Sequence, residues 1–374
     1  MPKLLSIVWY KVLPARYGGQ KMIAGFTEQL AAQIPLVCLA SSNNESTAPL
    51  PYSLLPELPV SKWQFINPIV WIKILTTAKT TNVTHIILEH PYHGIAGCLC
   101  KIFLHKKLVI HSHNIEHTRF KQQQKWWWKW LMYYEKWVHQ QADLNLFSTK
   151  ADMLYAIFHF KLSIAKCIIV PYGISRQNEL SKQDGRETIE RKHPILRGKK
   201  ILLFAGTLDY LPNAKAVENI HKYVAPTLPA KEYVIVVCGR NKLPEFQYLK
   251  ALKHDAVVYA GEVNDIEMYY AAADVFINPL AGSSGVQTKT FDALENHLNV
   301  VCFKSNTEGL PVDLLSEKVF IAADSDWDDF SFKIVAASDN FIPTPAYFFE
   351  VYHWKKITSH VAQKINENIS SSKL

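Results

Sequence analysis

No stretch of this 374-residue chain holds ~18 uninterrupted apolar residues, so a membrane-spanning helix is not expected. The N-terminus, MPKLLSIVWYKVLPARYGG, carries about six apolar-leaning residues before a lysine intervenes. That is too short for a secretory h-region and reads as a first strand. Cysteine pairing is also missing. Cys38, Cys98, Cys100, Cys167, Cys238 and Cys302 sit mostly one at a time in apolar runs. The one-residue gap between Cys98 and Cys100 fits neither a zinc knuckle nor a redox pair. Buried free thiols in a reducing, cytoplasmic compartment are the expectation. Acidic charge is scarce in the first half. Residues 1–172 contain 18 Lys+Arg and 8 Asp+Glu, a net of +10, which leaves the remainder at −2 for a total of +8. A basic half beside a near-neutral half suggests that the first half meets something anionic, such as a membrane surface or a phosphorylated lipid. Nucleic-acid binding would rest on charge alone and is not expected. There is no internal repeat, and no convincing pair of catalytic carboxylates stands out.

What is present is globular: 48% hydrophobic and 20% charged residues, in a chain long enough for two domains. Short apolar runs alternate with longer amphipathic ones. Strands are expected at Leu4–Val12, Pro35–Ala40, His85–Glu89, Leu108–His111, Leu144–Phe147 and Cys167–Pro171. Helices are expected at Gln20–Gln33, Trp71–Thr81, Gly94–Leu104 and Gln123–Gln141. Residues 173–199 are polar, lack a sustained apolar face and read as a linker. The alternation then resumes, with strands at Ile201–Ala205, Tyr233–Cys238, Val257–Tyr259, Val275–Leu280, Val300–Phe303 and Val319–Ala322. Helices fit at Asn213–Val224, Ile266–Ala273 and Thr288–His297, and a last amphipathic stretch covers Ala346–Asn366. Strands rich in Val, Ile and Leu, separated by helices, imply parallel sheets covered on both faces. The expected fold class is α/β, with two doubly wound, Rossmann-like domains facing across a cleft. Their boundaries are 1–172 and 200–344, and a C-terminal helix over 345–374 crosses back to the first domain.

The most informative stretch is 274–310, DVFINPLAGSSGVQTKTFDALENHLNVVCFKSNTEGL. A strand enters a small, glycine-containing turn at Ala281–Gly285, and a helix follows with Lys289 and Asp292 in its first turns. Backbone N–H groups at a helix N-terminus favour phosphate. Gly285 permits close approach, and the N–H groups of Val286 and Gln287 can point at phosphate or sugar oxygens. Lys289 adds a mobile positive charge, and Asp292 an acceptor for sugar hydroxyls. Arg240, after a strand in VVCGRN, is a candidate second cation. Thr207, after Gly206, is a candidate phosphate donor. Gly18 and Gly19 follow the first strand, where an N–H-lined turn would touch donor phosphate or acceptor. Each also has an ordinary turn or helix-surface reading.

The ordered set PARYGGQ (14–20), HSHNIEH (111–117), ADLNLFSTKADM (142–153), CIIVPYGI (167–174), LLFAGTLDYLPN (202–213) and YYAAADVFINPL (269–280) resembles the family 4 retaining glycosyltransferases of the GT-B fold. The resemblance runs over nearly the whole chain. It implies a donor site in the second domain and an acceptor site in the first. It implies that His113 hydrogen-bonds the donor sugar or positions the acceptor hydroxyl, as a neutral imidazole can. Retention implies that the departing phosphate takes the acceptor's proton, with no enzyme nucleophile. The chain departs from the pattern at three places. Asp292 stands where a glutamate is usual, the family's other glutamate would fall at Ser284, and Gln287 replaces an arginine.

The run HSHNIEH invites a metal reading through His111, His113, Glu116 and His117, but no open three-ligand pattern at helical spacing appears. No metal or other cofactor is expected. Residues 121–138, KQQQKWWWKWLMYYEKWV, would place Trp126, Trp130, Tyr133 and Trp137 on one helical stripe, flanked by Lys121, Lys125, Lys129 and Lys136. This is either a core helix with snorkelling lysines or an interfacial helix against anionic lipid. The expected activity is metal-independent transfer of a sugar from a UDP- or GDP-sugar to a saccharide or lipid-linked saccharide acceptor in surface polysaccharide synthesis. The expected place is cytoplasmic, at the inner face of the membrane. The rivals are a non-catalytic glycosyltransferase-like subunit and a GT-B sugar-nucleotide epimerase.

Overall fold

The computed structural model describes residues 1–175, 180–280 and 285–370, with backbone alone for 368–370. The chain divides into two compact units, Met1–Ser175 with Val351–Leu374, and Arg176–Glu350.

The first unit is built on seven strands: β1 (Leu4–Val8), β2 (Leu36–Ser41), β3 (Ser53–Leu58), β4 (His85–Glu89), β5 (Lys107–Ser112), β6 (Leu144–Phe147) and β7 (Cys167–Ile169). They pair in parallel in the order β3-β2-β1-β4-β5-β6-β7. Every residue of β1, β2, β4 and β6 is buried, because helices cover both faces of the sheet. The covering helices are α1 (Gly18–Ala31), α2 (Pro68–Thr80), α3 (Gly94–Leu104), α4 (Glu116–Gln122), α5 (Trp128–Gln141) and α6 (Lys150–Tyr155). One core joins Ile7, Leu39, Ile86, Leu88 and Ile110 of the sheet to Val70 and Ile74 of α2, Cys100 of α3 and Val138 of α5. Gly94 and Gly97 let α3 sit close. A Cβ on Gly94 would fall 2.2 Å from Val138, and one on Gly97 2.8 Å from Leu108. Sequence reading missed β3, a half-exposed edge strand in which Pro56 breaks the apolar pattern.

The second unit carries α7 (Lys182–Lys192) and β8 (Lys200–Ala205), α8 (Leu211–Asn219), β9 (Tyr233–Cys238), β10 (Val257–Gly261), α9 (Glu267–Ala272), β11 (Val275–Asn278), α10 (Thr288–Glu295), β12 (Asn299–Phe303), β13 (Val319–Ala322) and α11 (Trp327–Asp339). Its six strands are parallel in the order β10-β9-β8-β11-β12-β13. Leu202, Phe204, Ile235, Val237, Ile277 and Val301 form the centre of its core. The segment read as a linker holds α7 instead. Ser181 caps it through Asp184 N–H, and Gly185 packs it on α9, where a Cβ would meet Ala272 N at 2.8 Å. Asp274 anchors it further, pairing with Lys182 at 2.7 Å and with Arg186 at 2.5 Å. Sequence reading saw no apolar stripe here because α7 docks through a glycine and charged tips, with only Gly185 and Ile189 buried.

The C-terminal stretch forms α12 (Ala346–Tyr352) and α13 (Trp354–Ser370). Trp354 is buried against Gly25 of α1 and against Gly173, which would place Cβ atoms 2.5 and 2.2 Å from the indole. Gln33 donates to Thr358 Oγ1 at 2.6 Å, tying α13 to the end of α1. The six cysteines are free and buried. Among the described residues no helix is long and apolar enough to cross a membrane.

Candidate active site

In the second unit Thr207, Arg240 and the Lys289 ammonium gather at the carboxyl ends of β8 and β9, the edge where open parallel sheets bind ligands. Gly206 follows β8 and Gly239 follows β9. Their backbones touch so closely that a Cβ on Gly239 would lie 1.8 Å from Gly206 O. Lys289, in the first turn of α10, reaches back to this point. A Cβ on Gly206 would lie 2.4 Å from Lys289 Nζ. The ammonium donates to Asn213 Oδ1 at 3.0 Å and sits 5.5 Å from the Phe204 ring centre. Asn213 in turn donates to Thr207 O at 2.7 Å. Thr207, Asn213 and Lys289 therefore form one connected group. Asn213 is a site residue that sequence reading missed, since it looked like one more polar residue in the first turn of a helix.

Lys289 is half-buried over its whole surface, but its nitrogen lies deep. Burial pushes its pKa down to about 8, and the nearby Asp292 carboxylate opposes the shift. A cation held by a neutral amide and an aromatic face, next to a backbone kept bare by two glycines, is poised to take up anionic charge from a ligand.

Arg240 lies at the same edge, but its Nε faces Asp209 Oδ2 at 2.9 Å. Asp209 also accepts from the N–H groups of Lys242 (2.7 Å) and Leu243 (2.8 Å). Sequence reading missed Asp209, which orients Arg240 and shares its charge. The side chain remains 36% exposed. Gly285 takes φ +85°, a left-handed conformation that favours glycine, and its N–H donates to Glu308 Oε2 at 3.3 Å. Gln287 stands at the N-cap position of α10 without a side-chain capping bond, and its amide donates to Gly285 O at 3.2 Å. Val286 O accepts from Thr288 N at 3.1 Å. Ala281–Ser284, most of the expected phosphate turn, lie outside the described residues. Glu308 was within the quoted stretch but not singled out, because nothing in its spacing linked it to a turn 23 residues earlier. Asp324-Ser325-Asp326 spells an Asp-x-Asp pattern, but Asp326 caps α11 through Asp329 N–H and Asp324 accepts from Ser305 N–H. Both carboxylates are thus taken up by backbone N–H groups.

In the first unit Gly18 and Gly19 open α1 after β1, with Tyr17 as N-cap. Gln20 closes the entering loop by accepting from Arg16 N and Tyr17 N and donating to Lys11 O. A Cβ on Gly19 would only touch Tyr10 Oη at 3.6 Å, so packing does not demand that glycine.

His113 follows β5 and is buried. Its Nε2 meets Glu89 Oε2 at 2.8 Å and its Nδ1 faces Met22 Sδ at 3.2 Å. Both ring nitrogens are thus engaged inside the unit. Burial, with His111 and His90 adding, pushes the ring's pKa down to about 3 and keeps it neutral. Burial works against the Glu89 carboxylate, but contacts with His111 and His113 outweigh it and hold its pKa down to about 2. The rest of HSHNIEH separates into two further groups. Glu116 binds His90 Nδ1 (3.0 Å), Tyr92 Oη (2.8 Å) and Arg119 (2.7 Å). His117 binds Glu135, which also accepts the N–H groups of Glu116 and His117. His90 itself adopts φ +72°, strained for a non-glycine residue, with its N–H fixed on His111 O at 3.0 Å. Among the described residues one group could hold a metal ion: Glu89, His111 and His113, each offering a ligand atom within 4.8 Å of the others.

The tryptophan-rich segment is not one helix. α4 ends at Gln122 and α5 begins at Trp128, so Trp126 and Trp127 precede it. Val138 and Glu135 of α5 face inward, and Tyr134 Oη donates to Tyr92 O at 2.9 Å. The stripe of Trp130, Tyr133 and Trp137 faces solvent, with Trp126 beside it. Trp126 is 82% and Trp130 74% exposed. The core-helix reading of that stripe is therefore corrected: the opposite face is what packs. Lys121 and Lys129 stack on Trp128 at 5.0 and 5.7 Å. α3 and α2 continue the same layer, and they expose Phe103 and Ile102, and Ile69 and Ile72.

A sequence search of curated proteins finds no match for this chain. The family model of glycosyl transferases group 1 matches residues 199–340. Among solved structures, sucrose-phosphate synthase from Thermosynechococcus elongatus superposes with a TM-score of 0.78 at 15% identity, over 99% of this chain and all of that one. HepE from Anabaena, in complex with UDP and glucose, gives 0.75 at 12% identity over 98% of this chain and all of its own. WaaG, a glycosyltransferase involved in lipopolysaccharide biosynthesis, gives 0.65 at 15% identity over 96% and 95%. The chain takes the GT-B fold of these proteins, and its residues 199–340 match the family model of glycosyl transferases group 1.

Proposed function

We propose that this glycosyltransferase is a retaining enzyme that moves a sugar from a UDP- or GDP-sugar to a saccharide or lipid-linked saccharide of a surface polysaccharide. The observation that carries the reading is Lys289 Nζ lodged against Gly206 beside Thr207 and Asn213. As the glycosidic bond breaks, charge grows on the β-phosphate, and this ammonium neutralises it without a metal at the diphosphate. Arg240, oriented by Asp209, supplies a second positive charge. Gly285, Val286 and Gln287 line the start of α10, and Asp292 accepts from sugar hydroxyls. HepE, with UDP and glucose bound, supports a nucleotide-sugar donor of this class. Gly18 and Gly19 would meet donor phosphate or acceptor on the first unit. His113 would touch sugar only by turning away from Glu89, so the donor-side residues carry the reading. An epimerase would need a carboxylate facing substrate, and Glu89, Glu116 and Glu135 are all engaged by histidines or backbone. The test is product analysis with UDP- and GDP-sugars. An α-linked product from an α-linked donor supports retention, and inversion contradicts it.

The same reading places the protein against the inner face of a membrane, through the exposed Trp130, Tyr133 and Trp137 stripe with Lys121, Lys125, Lys129 and Lys136 around it. Aromatic rings and lysines of this kind suit the headgroup layer of anionic lipid. Sedimentation with anionic vesicles at low salt should carry the protein down, and Trp130→Ser with Trp137→Ser should release it. Wild-type protein that stays in solution overturns this placement.

A further inference from the structure

We propose that Glu89, His111 and His113 bind a divalent transition-metal ion, with Zn²⁺ the best match. The proposal concerns the first unit alone and does not depend on the glycosyltransferase reading. It starts from strand register. β4 and β5 run in parallel with Glu89 paired to His111. His111 and His113 are two residues apart at the end of β5, a spacing that returns side chains to one face of a strand. Two imidazoles from one strand and a carboxylate from its neighbour therefore converge. Glu89 Oε2 lies 2.9 Å from His111 Nδ1 and 2.8 Å from His113 Nε2. A tetrahedral zinc ion with bonds of about 2.0–2.1 Å holds its ligand atoms about 3.3 Å apart, so Glu89 Oε2 has to draw back a few tenths of an ångström from each ring, and the two ring nitrogens, which lie within 4.8 Å of each other, have to settle to that spacing.

A second observation is independent of that convergence. Both ring nitrogens of His111 and Oε1 of Glu89 are buried without a hydrogen-bond partner. The 2.9 Å approach of His111 Nδ1 to Glu89 thus lacks hydrogen-bond alignment. Native interiors rarely leave polar atoms unpaired, and of these three a single ion at the convergence can serve His111 Nδ1 and the Glu89 carboxylate, Nε2 lying on the far side of the ring. A cation placed among the ligands uses the His111 Nδ1 lone pair and the Glu89 charge together. The surroundings also suit ligation. With Nε2 of His113 on the metal, its proton resides on Nδ1 and points at Met22 Sδ 3.2 Å away, which fixes the ring. The donor set, two imidazoles and one carboxylate, selects zinc, cobalt or nickel over calcium or magnesium, which prefer oxygen ligands throughout. Sequence reading missed the set because its carboxylate sits on β4, 22 residues before the histidines' strand position, rather than inside HSHNIEH.

The test uses the full chain, stripped with chelator and desalted. Equilibrium dialysis against Zn²⁺ should leave about one tightly held equivalent per chain, and Co²⁺ should give the intense visible bands of a four-coordinate ion that Zn²⁺ then abolishes. Zn²⁺ should also raise the melting temperature of the wild type. Glu89→Gln, close to isosteric, should weaken binding at least about 100-fold while keeping its far-ultraviolet circular dichroism. His111→Gln should do the same. Because stoichiometry and the cobalt spectrum are read on the wild type, the result stands even where a variant fails to fold. Binding of well under one equivalent, or wild-type binding that persists in folded Glu89→Gln, overturns the site and leaves a buried carboxylate–histidine pair.

Discussion

The two units use the same parallel architecture to present opposite electrostatics at their sheet edges. In the first, the carboxylates have protein partners, although Glu89 Oε1 and both ring nitrogens of His111 are buried without a hydrogen-bond partner. Glu89, Glu116 and Glu135 each face a histidine, and Glu116 also holds Arg119 and Tyr92. In the second, Lys289 is buried against a neutral amide and a ring, beside two glycines that keep the backbone bare. A balanced edge holds its own shape. An edge with a poorly solvated cation is costly until an anion arrives, which is the usual signature of a ligand site. The difference supports the proposal that the diphosphate binds at the second unit.

The comparison can be broken most severely in the first unit. Glu116→Ala strips the partner from His90 and Arg119 and should destabilise the protein by about 3–5 kcal/mol, measured by urea unfolding. Acid should act the same way. Glu116 is held down to about 2 from an ordinary 4.5, because bonds and charge from His90, then Arg119 and Tyr92, outweigh the burial that opposes ionisation. A carboxyl lowered in the folded state contributes stability above its unfolded pKa and loses it on the way down. Stability should therefore fall between pH 4.5 and 2, and less so in Glu116→Gln.

Gly239→Ala comes next, since its new Cβ would meet a backbone oxygen 1.8 Å away that cannot yield. A large drop in melting temperature is expected. Gly206→Ala meets the flexible end of Lys289 instead, so the fold should survive while nucleotide affinity drops, as calorimetry would show.

A smaller effect separates the units by sign. Lys289 titrates near 8 when folded and 10.5 when unfolded. The unfolded chain binds more protons in that window, so stability rises with pH from 8 to 10.5. Lys289→Met should abolish that rise and raise the melting temperature at pH 7 by about 2–4 °C, against the fall that Glu116→Ala produces.

Much of the sheet framework was legible because parallel strands buried on both faces read as short apolar runs. His85–Glu89, Leu144–Phe147, Tyr233–Cys238 and Val319–Ala322 were read to the residue. β3 escaped because an edge strand with Pro56 carries no such run, and α7 because it docks by Gly185 and ion pairs. At the site, Lys289 and Thr207 were visible as local motifs. Asn213, Asp209 and Glu308 were not, since each works through contact with a residue remote in sequence. Glu89 was hidden for the same reason, inside a strand that looked like pure core.

The central claim is that the buried Lys289 ammonium holds the donor diphosphate. Isothermal titration of UDP and GDP, with and without sugar, into wild type and Lys289→Met at pH 7 tests it directly. The account predicts saturable binding of one nucleotide series by the wild type, weakening as pH rises through 8. It predicts a loss of at least about tenfold in the variant, equal to about 1.4 kcal/mol. Equal affinity in a folded Lys289→Met variant, or no nucleotide binding by the wild type, would contradict it.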